Sequence, residues 1–195
     1  MEEKRMERKT LVALLSINAF MFFLELVLGL IAESTGLLAD SLDMLADAFV
    51  YGVSLYAVGK AVAKKASAAR ISGYLQILLG VGVLFEVLRR LFFGSEPQST
   101  LIVVVGIVAL LANIVCLGLI SKHRSGGVHM RASWIFSVND VLANLGVILS
   151  GALVAILGSR YPDLLIGMII SALVVRGGIQ IVREAREAEK SVQDR

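Results

Sequence analysis

The sequence holds one cysteine, two prolines, 7% aromatic residues and only 18% charged residues in a length of 195. The single Cys116 excludes a disulfide framework, and its place in an apolar run marks it as a buried thiol acting as a small hydrophobe. The scarcity of charge excludes an ordinary soluble domain, which averages about 25% charged and about 45–50% apolar residues. Here 57% of the residues are hydrophobic and the mean hydropathy is +0.81. A core packed in water needs a polar shell, and 35 formal charges gathered at a few places cannot coat a globule of this size. The net charge of +3 does not imply a nucleic-acid partner, because no basic run or aromatic platform accompanies it.

What is present is apolar length. Six segments stand out at about 10–32, 36–59, 71–94, 100–121, 132–157 and 163–182, each near the ~20 residues that cross a bilayer as a helix. The expected fold is therefore all-α, a polytopic membrane protein of six transmembrane helices. Residues 1–9 form a cytoplasmic N-terminal segment, 10–182 the transmembrane domain and 183–195 a short cytoplasmic tail. The charged start leads into a long run without a small-residue cleavage pattern, so the first span reads as retained. Lysine and arginine set the orientation. Fifteen of the 19 basic residues precede span one, join spans two and three or four and five, or follow span six, leaving Arg89, Arg90, Arg160 and Arg176. Both termini are thus expected in the cytoplasm, with the protein in a cell membrane, prokaryotic and inner by expectation.

Ionisable groups inside the spans are costly and point to pairing, a water-filled cavity or function. Glu86 has Arg89 and Arg90 three and four residues on, within reach on one helix face, which reads as structural pairing. Asp40 lies within about a turn of the start of span two, where a carboxylate satisfies free backbone donors, so helix-end stabilisation is expected of it. Asp43 and Asp47 resist such readings: four residues apart, they share a helix face near mid-membrane, and no lysine or arginine of span two stands before Lys60. Two such carboxylates are tolerable if a proton is shared between them or a cation sits there. Asp140 lies at similar depth in span five, and Asp140-Val-Leu-Ala-Asn144 echoes Asp43-Met-Leu-Ala-Asp47. Three acidic groups on two helices are placed to converge on one ion. No nucleophile and base stand at helical spacing, so neither enzymatic chemistry nor a resident cofactor is expected.

These residues carry a resemblance. Asn18 and Glu25 in span one, the stretch Leu37-Leu-Ala-Asp40-Ser-Leu-Asp43-Met-Leu-Ala-Asp47, and Met130-Arg131-Ala132 before span five resemble the cation diffusion facilitator family of divalent-metal/proton antiporters. The resemblance implies a tetrahedral cation site to which Asp43, Asp47 and Asp140 contribute. The family's usual fourth ligand position is Phe136 here, which cannot coordinate a cation, so Ser137, Asn139, Asn144 or water are the candidate replacements. An all-oxygen site leans toward harder ions such as Mn2+, although carboxylates also bind Zn2+, Co2+, Cd2+ and Fe2+.

The resemblance further implies that cytosolic metal binds at the three carboxylates, that helix rocking exposes the site to the far side, and that protons displace the metal there. Two departures follow from the sequence. It ends about a dozen residues after span six, where relatives carry a cytoplasmic domain, so a homodimer is expected to be held within the membrane. The loop between spans four and five has only His123 and His129, read as interfacial. Two alternatives accompany this reading: a transport-inactive membrane scaffold that keeps the fold after losing a ligand at Phe136, and a proton-coupled exporter of small organic cations. The expected partners are metal ions, protons and membrane lipid. Glycines such as Gly29, Gly82, Gly106, Gly118, Gly151 and Gly178 are read by default as helix-packing positions.

Overall fold

The computed structural model describes residues 2–57, 62–121 and 128–193. His123 lies outside these, as do the side chains of His129 and Phe136. Six helices follow in order: α1 (Glu2–Ile31), α2 (Thr35–Ala57), α3 (Val62–Phe93), α4 (Ser99–Ser121), α5 (Val128–Leu157) and α6 (Tyr161–Gln193). No strand occurs among the described residues. α1, α3, α5 and α6 overrun the apolar segments at the end nearer the chain termini. Lys, Arg, Glu and Ala end an apolar run without ending a helix, because all are good helix formers.

Five helices are long and apolar enough to cross a membrane, with spans at Arg8–Ile31, Ala66–Phe93, Ser99–Ser121, Ser137–Leu157 and Tyr161–Ala188. α2 is not among them, since Asp40, Asp43 and Asp47 interrupt it. The fold is nonetheless a multi-pass membrane protein, and its surface shows why. Phe20, Phe23, Phe85, Phe92, Phe93 and Ile156 are exposed while Glu25, Asp40 and Asp163 are buried, the inverse of a water-soluble globule.

α2 is the hub: among the described residues it packs against all five other helices, whereas no other helix meets more than three. Its acid-rich composition thus coincides with the most enclosed position in the bundle. The closest pairings around it are α3 with α6, α1 with α2, and α4 with α5. At the crossing of α3 and α6 a Cβ on Gly178 would stand 2.8 Å from the carbonyl oxygen of Gly73, and one on Gly73 would stand 2.9 Å from that of Gly178. Glycine is required there because backbones meet without intervening side chains. Gly106 and Gly151 instead make room for the side chains of Ile148 and Ile102 where α4 meets α5, whereas Gly82 and Gly118 have open space around them among the described residues.

The three short links lie together at the end opposite the chain termini, here called the far end. Gln98 N donates to the Ala32 carbonyl at 2.9 Å, Glu96 N to Glu33 Oε2 at 3.0 Å, and Gln98 Nε2 to the Ile31 carbonyl at 3.1 Å. Glu86 bridges Arg89 and Arg90 near this end at 2.6–2.7 Å, as its spacing predicts.

The start of α2 is secured at this end in a way the sequence reading assigned to a different residue. Ser34 is the N-cap, its Oγ accepting from Leu37 N at 3.1 Å. The remaining donors turn to Asp163, in the first turn of α6. Its Oδ2 accepts from Thr35 N at 2.6 Å and stands 2.8 Å from Thr35 Oγ1, while its Oδ1 accepts from Ser34 Oγ and, at 3.1 Å, from Gly36 N. Asp163 is 1% exposed. A carboxylate at a helix N-terminus satisfies orphan N–H groups and meets the positive end of the dipole. Hydrogen bonds to a charged group contribute about 1.5–3 kcal/mol each, so the set is worth several kcal/mol. Asp40, five residues into α2, takes no part in this cap; it faces inward against Glu25 of α1. The expectation of helix-end stabilisation at Asp40 is therefore corrected: a tertiary partner had already met the need.

Candidate cation site

One face of α2 carries Gly36, Asp40, Asp43, Asp47 and Tyr51, successive steps of four, three, four and four residues. At 1.5 Å per residue, Asp43 lies about 12 Å and Asp47 about 18 Å along the helix from Thr35. The face meets α1 on one side and α5 on the other. α1 presents a buried stripe of Leu14, Asn18, Met21, Glu25 and Gly29, and α5 one of Ser137, Asn144, Val147 and Ser150 with half-buried Asp140 on the same side.

Asp140 stands within hydrogen-bonding reach of both Asp43 and Asp47 across the contact between α2 and α5. All three are half-buried. Among the described residues, no three His, Cys, Asp or Glu side chains gather into a tight coordination cluster, so Asp43 and Asp47 each approach Asp140 without the three closing around one point. Tyr51 supplies a donor: its Oη hydrogen-bonds Asp47 Oδ2 at 3.3 Å. Tyr51 also lies beside Ser137 and is 3% exposed.

Of the three candidate replacement donors, two share this side. Ser137 is buried and its Oγ has no hydrogen-bond partner among the described residues. Asn144 is fully buried, its Nδ2 donating to the Asp140 carbonyl at 2.9 Å while its Oδ1 has no hydrogen-bond partner among the described residues. Asn139 is exposed, about 100° around α5 from Asp140, and does not join them. Cys116 of α4 lies near the same group, and Asn18 Nδ2 approaches its Sγ at 3.7 Å while donating to the Leu14 carbonyl at 2.9 Å.

A second acidic pair adjoins the first. Glu25 and Asp40 lie side by side at 0% and 1% exposure, and both Glu25 oxygens and Asp40 Oδ2 accept no hydrogen bond from any described donor. A buried polar group without a partner is expensive, and a buried charge more so. Five acidic side chains, Glu25, Asp40, Asp43, Asp140 and Asp47, thus run in sequence along one face of α2 with Tyr51 at the end. The arrangement can take up protons or a cation between two helices.

Sequence reasoning missed Tyr51 and Asp163. Tyr51 was legible as the residue four after Asp47 on the same face. For Asp163 the signal was the Ser34-Thr35-Gly36 helix start with no acidic residue in the first turn of α2, but its partner lies 128 residues away.

Residues 11–188 match the family model described as the cation efflux transmembrane domain. Among similar proteins, a zinc transporter of Yersinia pseudotuberculosis, ZitB, is 24% identical over 119 residues, 60% of this chain and 38% of its own length. A cadmium, cobalt and zinc/H(+)-K(+) antiporter of Bacillus velezensis is 25% identical over 120 residues, again 60% of this chain and 38% of its own. The metal cation efflux system protein CzcD of Cupriavidus metallidurans is 26% identical over 183 residues, 87% of this chain and 57% of its own. The chain thus spans from about two-fifths to somewhat over half the length of these relatives.

Proposed function

The chain belongs to the cation efflux family, and from that premise we propose that it carries divalent metal cations across the membrane in exchange for protons, with Asp43, Asp47 and Asp140 as the site. The observation that carries the reading is the meeting of Asp140 on α5 with both carboxylates of α2 at the centre of the bundle, where Tyr51 is the donor to Asp47. Carboxylates bind metal only when deprotonated, so protons and metal compete for the same oxygens. A proton gradient then drives metal outward: the site loads from the side poor in protons and is emptied by protonation on the other. Ser137 and Asn144 are the neutral oxygen donors placed to complete the shell, with Tyr51 orienting Asp47. Zinc, cadmium and cobalt head the substrates to test, since the names of the relatives specify them, and Mn2+ joins them because the donors are oxygens.

The test is flux in proteoliposomes with an imposed pH gradient, comparing Zn2+, Cd2+, Co2+ and Mn2+ for the parent protein and Asp47→Ala. Saturable uptake that collapses with the gradient and is lost in the variant supports the reading. Folded protein that moves none of the four ions overturns it in favour of a transport-inactive scaffold. Gradient-driven movement of an organic cation with no metal flux would instead favour the exporter.

A further inference from the structure

At the far end, the link between α3 and α4 faces the last turn of α5 and the start of α6 across a cavity of about 520 Å3. Its polar wall is made by Ser95, Glu96 and Ser99 on one side and by Ser159, Arg160 and Tyr161 on the other. Arg160 is held in place without being paired. Its Nη2 donates to the Leu91 carbonyl at 3.4 Å, its Cζ lies 5.7 Å from the centre of the Tyr161 ring, and no described carboxylate forms an ion pair with it. Its Nε and the Ser95 Oγ are buried and have no hydrogen-bond partner among the described residues.

Two helices start in this wall. α4 begins at Ser99 with no acidic residue in its first turn, and the first-turn acid of α6, Asp163, is turned to residues 34–36 at the start of α2. A guanidinium N–H, a hydroxyl and the positive ends of two helices are thus gathered at one cavity, and of these only the hydroxyl can accept. Such a set suits an anion with several acceptor oxygens, which is what a phosphate offers. The surroundings decide which phosphate. The spans stop at Phe93 and Leu157 and resume at Ser99 and Tyr161, so the cavity lies at the depth of lipid headgroups. The α5 turn beside it is apolar and exposed at Ala155, Ile156 and Leu157, a surface that acyl chains can cover and a soluble phosphate cannot. The wall also carries one acid, the exposed Glu96. One cation and one acid match a headgroup that bears both a phosphate and an amine.

We propose that the far-end cavity binds the headgroup of an amine-bearing zwitterionic phospholipid, of which phosphatidylethanolamine is the simplest. Arg160, Ser95 and the starts of α4 and α6 hold the phosphate, Glu96 holds the ammonium, and the acyl chains lie along the exposed last turn of α5. A choline headgroup has no N–H to give Glu96, and a glycerol headgroup has no cation for it. A lipid so placed ties the link before α4 to the start of α6 at the membrane edge. Nothing in this assignment draws on the carrier reading.

Native mass spectrometry of the full chain in detergent tests this, with phosphatidylethanolamine, phosphatidylcholine and phosphatidylglycerol of identical acyl chains titrated in turn. The parent protein is expected to hold phosphatidylethanolamine about tenfold more tightly than either of the others. Arg160→Gln is expected to weaken all three by about tenfold, since each carries the phosphate. Glu96→Gln, an exposed change, is expected to bring phosphatidylethanolamine down to the level of phosphatidylcholine and leave the latter where it was. Equal retention of the three lipids by the parent, or phosphatidylglycerol held most tightly, overturns the headgroup assignment. Retention unchanged in Arg160→Gln overturns the site. Displacement of the lipid by millimolar inorganic phosphate overturns a lipid occupant in favour of a soluble anion. Should Arg160→Gln fail to fold, Glu96→Gln decides alone, and a preference it leaves intact overturns the proposal. Metal flux is not read in this experiment, so a carrier that moves no ion leaves the assignment standing.

Discussion

α2 is bordered by two kinds of buried carboxylate, and they are treated in opposite ways. Asp163, at the helix start, is met by four donors and lies at the N-termini of two helices. Glu25 and Asp40, a little over a turn deeper, are equally buried and accept nothing from a described donor on three of their four oxygens. Farther in, Asp47 accepts from the Tyr51 hydroxyl. The contrast separates structure from function on physical grounds. A carboxylate kept for stability is surrounded by donors, because each unmet oxygen costs free energy. Carboxylates without a described donor are, in the reading proposed above, those that protons or a cation satisfy for part of a cycle.

Substitutions should make the contrast measurable. The largest effect is expected at Asp47→Asn and Asp43→Asn: metal flux falls at least ~100-fold in proteoliposomes while thermal unfolding in detergent is unchanged or shifted upward, since removing an unpaired buried charge relieves a cost. A clear loss of stability there would erase the distinction. Asp163→Ala should behave conversely, losing about 3 kcal/mol of folding stability in a denaturant titration, because the donors of residues 34–36 are left unmet. Glu25→Gln comes next. It keeps the shape, removes one charge, and is expected to raise stability by about 1 kcal/mol while lowering proton-driven flux several-fold; a destabilised variant would reveal a hidden donor. The smallest effect belongs to Tyr51→Phe, expected to reduce metal affinity about threefold to tenfold in a titration of the binding site without moving the unfolding transition, the loss of one hydrogen bond to a carboxylate.

Much of this was readable one helix at a time. The steps of three and four that align Asp40, Asp43 and Asp47 are a property of α2 alone, and Glu86 with its two arginines is a property of α3 alone. Ser137 and Asn144 were legible as candidates because they share a side of α5 with Asp140; Asn139 failed because a neighbour in sequence is about 100° away on a helix. Asp40 was misread for the same kind of reason. A position near a helix start suggests capping, yet whether the donors there are free depends on what another helix brings.

The sequence by itself determined the class of molecule, since its hydropathy demands a bilayer; its basic residues supply an expected side, and the acidic stripe on an otherwise apolar helix a candidate site. Those are consequences of composition and helical periodicity, which act over a few turns. Only the tertiary structure decided that α2 sits at the hub, that Asp140 rather than another polar group meets its carboxylates, and that Asp163 holds its start. Contacts between residues 128 apart arise from how helix faces pack in three dimensions, and no period along the chain encodes them.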